Sequence, residues 1–223
     1  MGQAQGQPAR SARCIALVGP YLSGKTTLLE AILARTGAIP RQGTMAAKNT
    51  VGDASDEARH HGMSVELNVA TVDFLGDHFT FLDCPGSIEF QADALNALTA
   101  CDAAVVVCEP DEKKVPALQL ILKQLEDRSI PHFLFVNKID KAEARVRELV
   151  PMLQPASTKP LVLRQLPIFE NDIVTGFIDL ALERAFIYRE HAPSEVIAIP
   201  DPIAKDEKDA RFSMLEKLAD YDD

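Results

Sequence analysis

Eight residues, GPYLSGKT from Gly19 to Thr26, constrain this chain more than any others. They fit the pattern G-x-x-x-x-G-K-[ST], a loop whose backbone N–H groups close around phosphate oxygens. The apolar run RCIALV precedes the loop, and TLLEAILART follows it with apolar residues at Leu28, Leu29, Ile32 and Leu33. That is strand, loop, helix, and it aims the positive end of a helix at the anion. The chemistry assigns Gly19, Pro20, Ser23, Gly24, Lys25, Thr26 and Thr27 to nucleotide binding. Within that set, Lys25 reaches the β and γ phosphates and the Thr26 hydroxyl binds magnesium.

The remaining pattern predicts an α/β fold. VELNVATVDF alternates, with Val65, Leu67, Val69 and Thr71 on one side, and Gly76-Asp77 is expected to turn the chain into HFTFLD. AAVVVCE and HFLFVN are continuous apolar runs, as in strands buried on both faces of a mainly parallel sheet. Helical stretches alternate with them: IEFQADALNALTA, VPALQLILKQLED and KAEARVRELVPML. Residues 40 to 63 are polar without a clean period and read as a long functional loop. Gly37 and Pro40 stop the helix before it. After PASTKP the rhythm changes, and LVLRQLPIF with DIVTGFIDLALERAFIYRE predicts a strand and then a smaller α/β or β-rich unit. DEKDARFSMLEKLADYDD reads as a closing helix. The expected division is a mobile tail at 1–11, a P-loop core at 12–158 and a smaller inserted α/β subdomain at 159–223.

Two further motifs follow the phosphate loop in order. Asp83, in the stretch DCPGS, ends an apolar strand and suits the magnesium-side carboxylate, acting through water. Gly86 can turn its N–H to the γ-phosphate, so the loop after it senses that group. FVNKID comes off a parallel strand and carries N-K-x-D. The Asp140 carboxylate can accept from guanine N1–H and its exocyclic amine together, a donor pair adenine lacks. Lys138 can lay its methylene stem over the purine, and Asn137 can tie this loop to the phosphate loop.

In the order GPYLSGKT, HHGMSVELN, DCPGSIEF, NKID, the chain resembles a translational GTPase, with elongation factor G the nearest likeness. GKTTLLEAILARTGAI and KPLVLRQLPIFENDIVTGFIDL point to that branch. The resemblance runs from about Cys14 to the C-terminus. It implies a P-loop sheet core with an insertion, GTP or GDP as ligand with Mg2+, and the ribosome as partner. Three departures stand out. The family's switch motif Arg-Gly-Ile-Thr-Ile is here His61, Gly62, Met63, Ser64, Val65; Ser64 keeps the hydroxyl that completes the magnesium shell. The family's Asp-Thr-Pro-Gly-His ends here in Ser87, where the histidine is taken to position the attacking water. Serine is shorter and cannot become a cation, and losing one such contact commonly costs roughly 10²–10³ in rate. The catalytic positions implied are therefore Lys25, Gly86 and an impaired Ser87. The third departure is that the sequence stops at ADYDD, before the Ser-Ala loop that completes the family's guanine site. This implies the N-terminal part of a longer protein.

Composition narrows the partners. Net charge is −10, which argues against direct nucleic-acid binding. From Pro160 onward there are 14 Asp and Glu against 7 Lys and Arg, so −7 of that charge lies there. This acidic region, 160–223, is a candidate surface for the ribosomal stalk protein that the resemblance implies. No apolar run reaches the roughly 18 residues of a membrane span. The N-terminus has no apolar segment of a signal peptide, and Gly2 lacks the Ser or Thr of a myristoylation site. Four cysteines without a C-x-x-C pair suit buried thiols in a reducing cytosol. A cytoplasmic monomer is expected. Three functions compete: a GTPase that needs a partner, a GTP-gated ribosome ligand with little hydrolysis, and an ATP-using P-loop protein.

Overall fold

A computed structural model of the chain describes residues 12–52, 55–61, 63–87, 91–141, 146–171, 173–189 and 192–220. The tail expected at 1–11 lies outside them, as does Gly62. The chain forms two compact units. One runs to Glu109 and includes Pro116–Asn137; the other comprises Pro110–Val115 and the chain from Lys138 onward.

The first unit is a five-stranded sheet in the order β2-β3-β1-β4-β5, built from Ala12–Val18 (β1), Asn68–Phe74 (β2), Asp77–Asp83 (β3), Ala103–Cys108 (β4) and His132–Val136 (β5). β1 pairs in parallel with β3 and β4, and β4 with β5. Only β2 runs antiparallel. Helix α1 (Lys25–Thr36) packs Leu29 and Leu33 against Leu17, Val72, Phe81, Val105 and Val107. Its C-terminus is closed by Gly37 at φ 79, whose N–H bonds back to Ala34 O. The 40–63 loop contains a short helix, α2 (Asp56–His61). Two more helices, α3 (Gln91–Ala100) and α4 (Val115–Asp127), connect the parallel strands.

Several local expectations need correction. The hairpin turns on Leu75 and Gly76, at φ 51 and 90, and Asp77 already pairs with Phe74. Positive φ at both central residues matches the right-handed strand twist. β2 begins only at Asn68, so Val65 and Leu67 precede it. Val69 and Thr71 face solvent, while Val72 is buried on the opposite side. β4 is buried on both faces, as its apolar run predicts. β5 is not: Phe133 is 60% exposed and Phe135 39%, because β5 is the edge strand.

The parallel arrangement decides where chemistry can gather. β1, β3, β4 and β5 point the same way, so the loops that follow β1, β3 and β5 leave from one edge of the sheet. Ligands of open α/β sheets bind beyond these carboxyl ends.

The second unit holds α5 (Val146–Leu153) and a four-stranded antiparallel sheet, β6-β7-β8-β9, from Gln165–Glu170, Ile173–Asp179, Arg184–Arg189 and Ala192–Ile197. DIVTGFIDLALERAFIYRE is thus a hairpin, the β-rich of the two alternatives its sequence allows. One face of the sheet buries Leu166, Ile168, Ile178 and Ala185 with Ala210 and Met214 of the last helix, α6 (Asp201–Ala219). Across strands β7 and β8, Phe177 stacks on Phe186 with centroids 5.0 Å apart. α6 starts five residues before the predicted DEK, with Pro202 in its first turn.

Candidate nucleotide-binding site

β1 ends at Val18, and the chain turns through Gly19–Gly24 before α1 begins at Lys25. Gly24 sits at φ 100. A side chain there would be strained, and its β-carbon would run into Asn137 Nδ2. That close approach is used: Asn137 Nδ2 donates to Ser23 O at 2.9 Å and ties the end of β5 to the loop. α1 has no side-chain cap and no acidic residue in its first turn. Its positive end therefore faces the loop without a competing carboxylate.

Lys25 is only 6% exposed, and its Nζ donates to Gly19 O and Pro20 O, each at 3.2 Å. An ammonium held this way stays directed into the loop, ready to exchange carbonyl partners for phosphate oxygens. Gly86, after β3, lies against the same group. A β-carbon there would fall 2.9 Å from Gly19 O and 3.0 Å from Pro20 O, and it would collide with Lys25 Nζ. Only a residue without a side chain lets the DCPG loop come this close.

Thr26 begins the second cluster. Its Oγ1 donates to Asp83 Oδ2 at 2.7 Å and lies 3.0 Å from Ser64 Oγ. Thr26 is 8% exposed and Asp83 is fully buried. Two hydroxyls and a carboxylate form an oxygen-only set, which fits a hard cation such as magnesium, bound through one or two carboxylates plus phosphate oxygens. The neighbouring Cys84 thiol is pushed up to about 12, by burial first and by the Asp83 charge second.

The structure brings Gly19, Ser23, Gly24, Lys25, Thr26, Ser64, Asp83, Gly86 and Asn137 together in the first unit. Pro20 contributes a carbonyl, while Thr27 is exposed. Ser87 is half-buried directly after Gly86. Lys138 and Asp140 belong to the second unit; Lys138 takes φ 57, and Asp140 is exposed on a single 3-10 turn, Ile139–Lys141. Sequence reasoning missed one residue. Glu30 is fully buried and accepts from Gly43 N at 2.8 Å and from Val51 N at 2.5 Å. The available signal was a carboxylate one turn beyond Thr26, on the same face of the helix and next to the apolar Leu29.

A family model, the elongation factor Tu GTP binding domain, matches residues 10–199. The chain belongs to the elongation factor Tu GTP-binding domain family. Among its relatives, an elongation factor G-like protein of Synechocystis sp. is 44% identical over 213 residues, 96% of this chain and 32% of that protein. Elongation factor G of Salinibacter ruber is 28% identical over 97% of this chain and 31% of its own length. A crystal structure of a Thermus thermophilus protein superposes with a TM-score of 0.84 at 30% identity, covering 95% of this chain and 32% of that one. The chain thus spans about a third of the length of these relatives. As a member of this GTP-binding family it has the expected mixed fold, a mainly parallel sheet with helices and a second antiparallel sheet. Among the described residues, no helix is long and apolar enough to cross a membrane.

Proposed function

We propose that this chain is the nucleotide-binding part of an elongation factor G-like protein that binds GTP and GDP with Mg2+ and couples that binding to the ribosome. The observation that carries this reading is the position of the Thr26 hydroxyl, between Asp83 Oδ2 and Ser64 Oγ at the foot of the phosphate loop. Gly19, Pro20, Ser23, Gly24, Lys25, Thr26 and Thr27 hold the phosphates. Thr26, Ser64 and Asp83 hold the magnesium, which offsets phosphate charge. The N-K-x-D chemistry assigns Asn137, Lys138 and Asp140 to the guanine base. Gly86 brings the loop after β3 against Lys25, so a γ-phosphate on Lys25 is felt at Ser87. Residues 159–223 form the start of an inserted subdomain, and their acidic surface meets a ribosomal stalk protein. The protein acts in the cytoplasm as a monomer.

Calorimetry on the full-length protein tests the first part. GDP and a non-hydrolysable GTP analogue are expected to bind in magnesium and ATP is not; equal binding of ATP overturns the guanine reading. Single-turnover hydrolysis, with and without ribosomes, tests the second. Ser87 favours slow turnover or none, a GTP-gated ribosome ligand, because a serine hydroxyl cannot take the place of an imidazole. Ser87→His is expected to raise the rate roughly 10²-fold, the size of one water-orienting contact. A natural rate of several per second contradicts this account of Ser87.

A further inference from the structure

Glu30 stands outside every role given so far. It lies on α1 one turn after Thr26 and is fully buried, although it carries a carboxylate. Such a group is retained in an interior only when hydrogen bonds satisfy it. Its two oxygens are used separately. Oε2 accepts from Gly43 N at 2.8 Å and Oε1 from Val51 N at 2.5 Å.

The segment between those amides is organised by itself. Thr44 N donates to Asn49 Oδ1 at 2.9 Å, Ala47 N to Thr44 Oγ1 at 3.2 Å, and Lys48 N to Met45 O at 3.1 Å. Glu30 grips both ends of this small closed loop, as in a compact loop whose ends lie close together. Gly43 is buried there, and a β-carbon on it would fall 2.5 Å from Asn49 O and 2.8 Å from Glu30 Oε2. The residue after the grip is Gly52. Its β-carbon position is 3.2 Å from Thr26 Cγ2 and 3.4 Å from Asp83 Oδ2. The loop end held by Glu30 therefore closes over the two residues of the magnesium side.

We propose that Glu30 is a positioning residue: by holding Gly43 and Val51 it sets Gly52 against Thr26 and Asp83, and so controls how strongly magnesium supports nucleotide binding. This rests on the guanine-nucleotide reading above. One helix carries both the hydroxyl of the site and the carboxylate that seats the cover, so the two move together.

The test uses the full-length protein with GDP and a non-hydrolysable GTP analogue. Affinity is measured in Mg2+ and again in excess chelator, together with amide hydrogen exchange over residues 43–52. Glu30→Gln keeps the shape but turns an NH2 group toward one of the two N–H donors. The ratio of affinity in magnesium to affinity in chelator is expected to fall about tenfold, the scale of one lost hydrogen bond to a charged acceptor. Exchange at Gly43 and Val51 is expected to quicken by a similar factor. Gly43→Ala, which presses on the Glu30 carboxylate from the loop side and leaves the sequence of α1 unchanged, is expected to lower the same ratio and provides the measurement if the glutamine variant does not fold. A merely structural residue lowers both affinities together; an unchanged ratio in the variants overturns the proposal. Unchanged exchange at both amides overturns the clamp itself. Wild-type protein that binds no guanine nucleotide overturns the functional reading instead, and the exchange data still decide whether the clamp exists.

Discussion

The two units bury polar side chains for different ends. In the first, the described buried polar residues are Ser23, Lys25, Thr26, Glu30, Thr50 and Asp83. They crowd the ends of β1 and β3, the start of α1 and the loop beyond it. Thr26 donates to Asp83, while Lys25 bonds to backbone carbonyls and Glu30 to backbone amides. In the second unit they are Asp179 and Glu207. Asp179 accepts from Arg164 and from the amides of Ala181 and Leu182, at 3.0 and 2.8 Å, and so closes the turn between β7 and β8. Burying a polar group costs stability unless it is paired. In the first unit such groups gather beyond the ends of parallel strands, whereas Asp179 is spent on closing a turn.

Substitutions can break this contrast. The largest effect is expected at Lys25→Ala, which removes a charged donor from the loop. Affinity for GDP, read by calorimetry, is expected to fall about 100-fold, two charge-assisted bonds' worth. Thr26→Ala is expected to cost about tenfold in magnesium and little in chelator. Asp179→Asn is expected to lower unfolding stability by about 1–2 kcal/mol in urea, allowing for the half-exposed Arg164, and to leave nucleotide affinity within about twofold. A loss of affinity there comparable to that of Lys25→Ala would erase the distinction between the units.

pH sharpens the same point. Burial alone would raise the Asp179 pKa, but the Arg164 hydrogen bond, the Leu182 amide, the Arg164 charge and the Ala181 amide outweigh it and hold it below the usual carboxylate value. The folded state therefore binds its proton less readily than the unfolded chain. The stability gained is complete above the unfolded pKa of about 4 and is lost as pH falls through the lower folded value. Melting of wild type is expected to decline in that acidic window, and Asp179→Asn to flatten the part this residue contributes. The smallest effect is expected at Phe133→Ser, on the exposed edge: within about 0.5 kcal/mol by urea unfolding.

The order of elements in the first unit was legible because each motif occurs at an apolar-to-polar boundary. RCIALV, AAVVVCE and HFLFVN all became strands. What escaped has physical reasons. An apolar run cannot say whether a strand is central or at an edge, so Phe133 and Phe135 looked buried. Alternation in VELNVATVDF gives a period without saying which face is inward. α2 has six residues, too few for a period to appear. In the second unit, short strands rich in Ile, Phe and Leu read equally as helix. The spacing from Thr26 marks Glu30, but not what it holds, because its partners, Gly43 and Val51, are 13 and 21 residues away and offer only backbone.

Cys84 offers a practical consequence. It follows Asp83, has no exposed surface, and its amide donates to Leu17 O at 3.0 Å. A thiol shielded in this way is inert to alkylating reagents at neutral pH, since only the thiolate attacks. Once the other three cysteines are replaced by serine, the speed at which a maleimide modifies Cys84 becomes a clock for how often the strand end at Asp83 peels open, readable without a nucleotide assay.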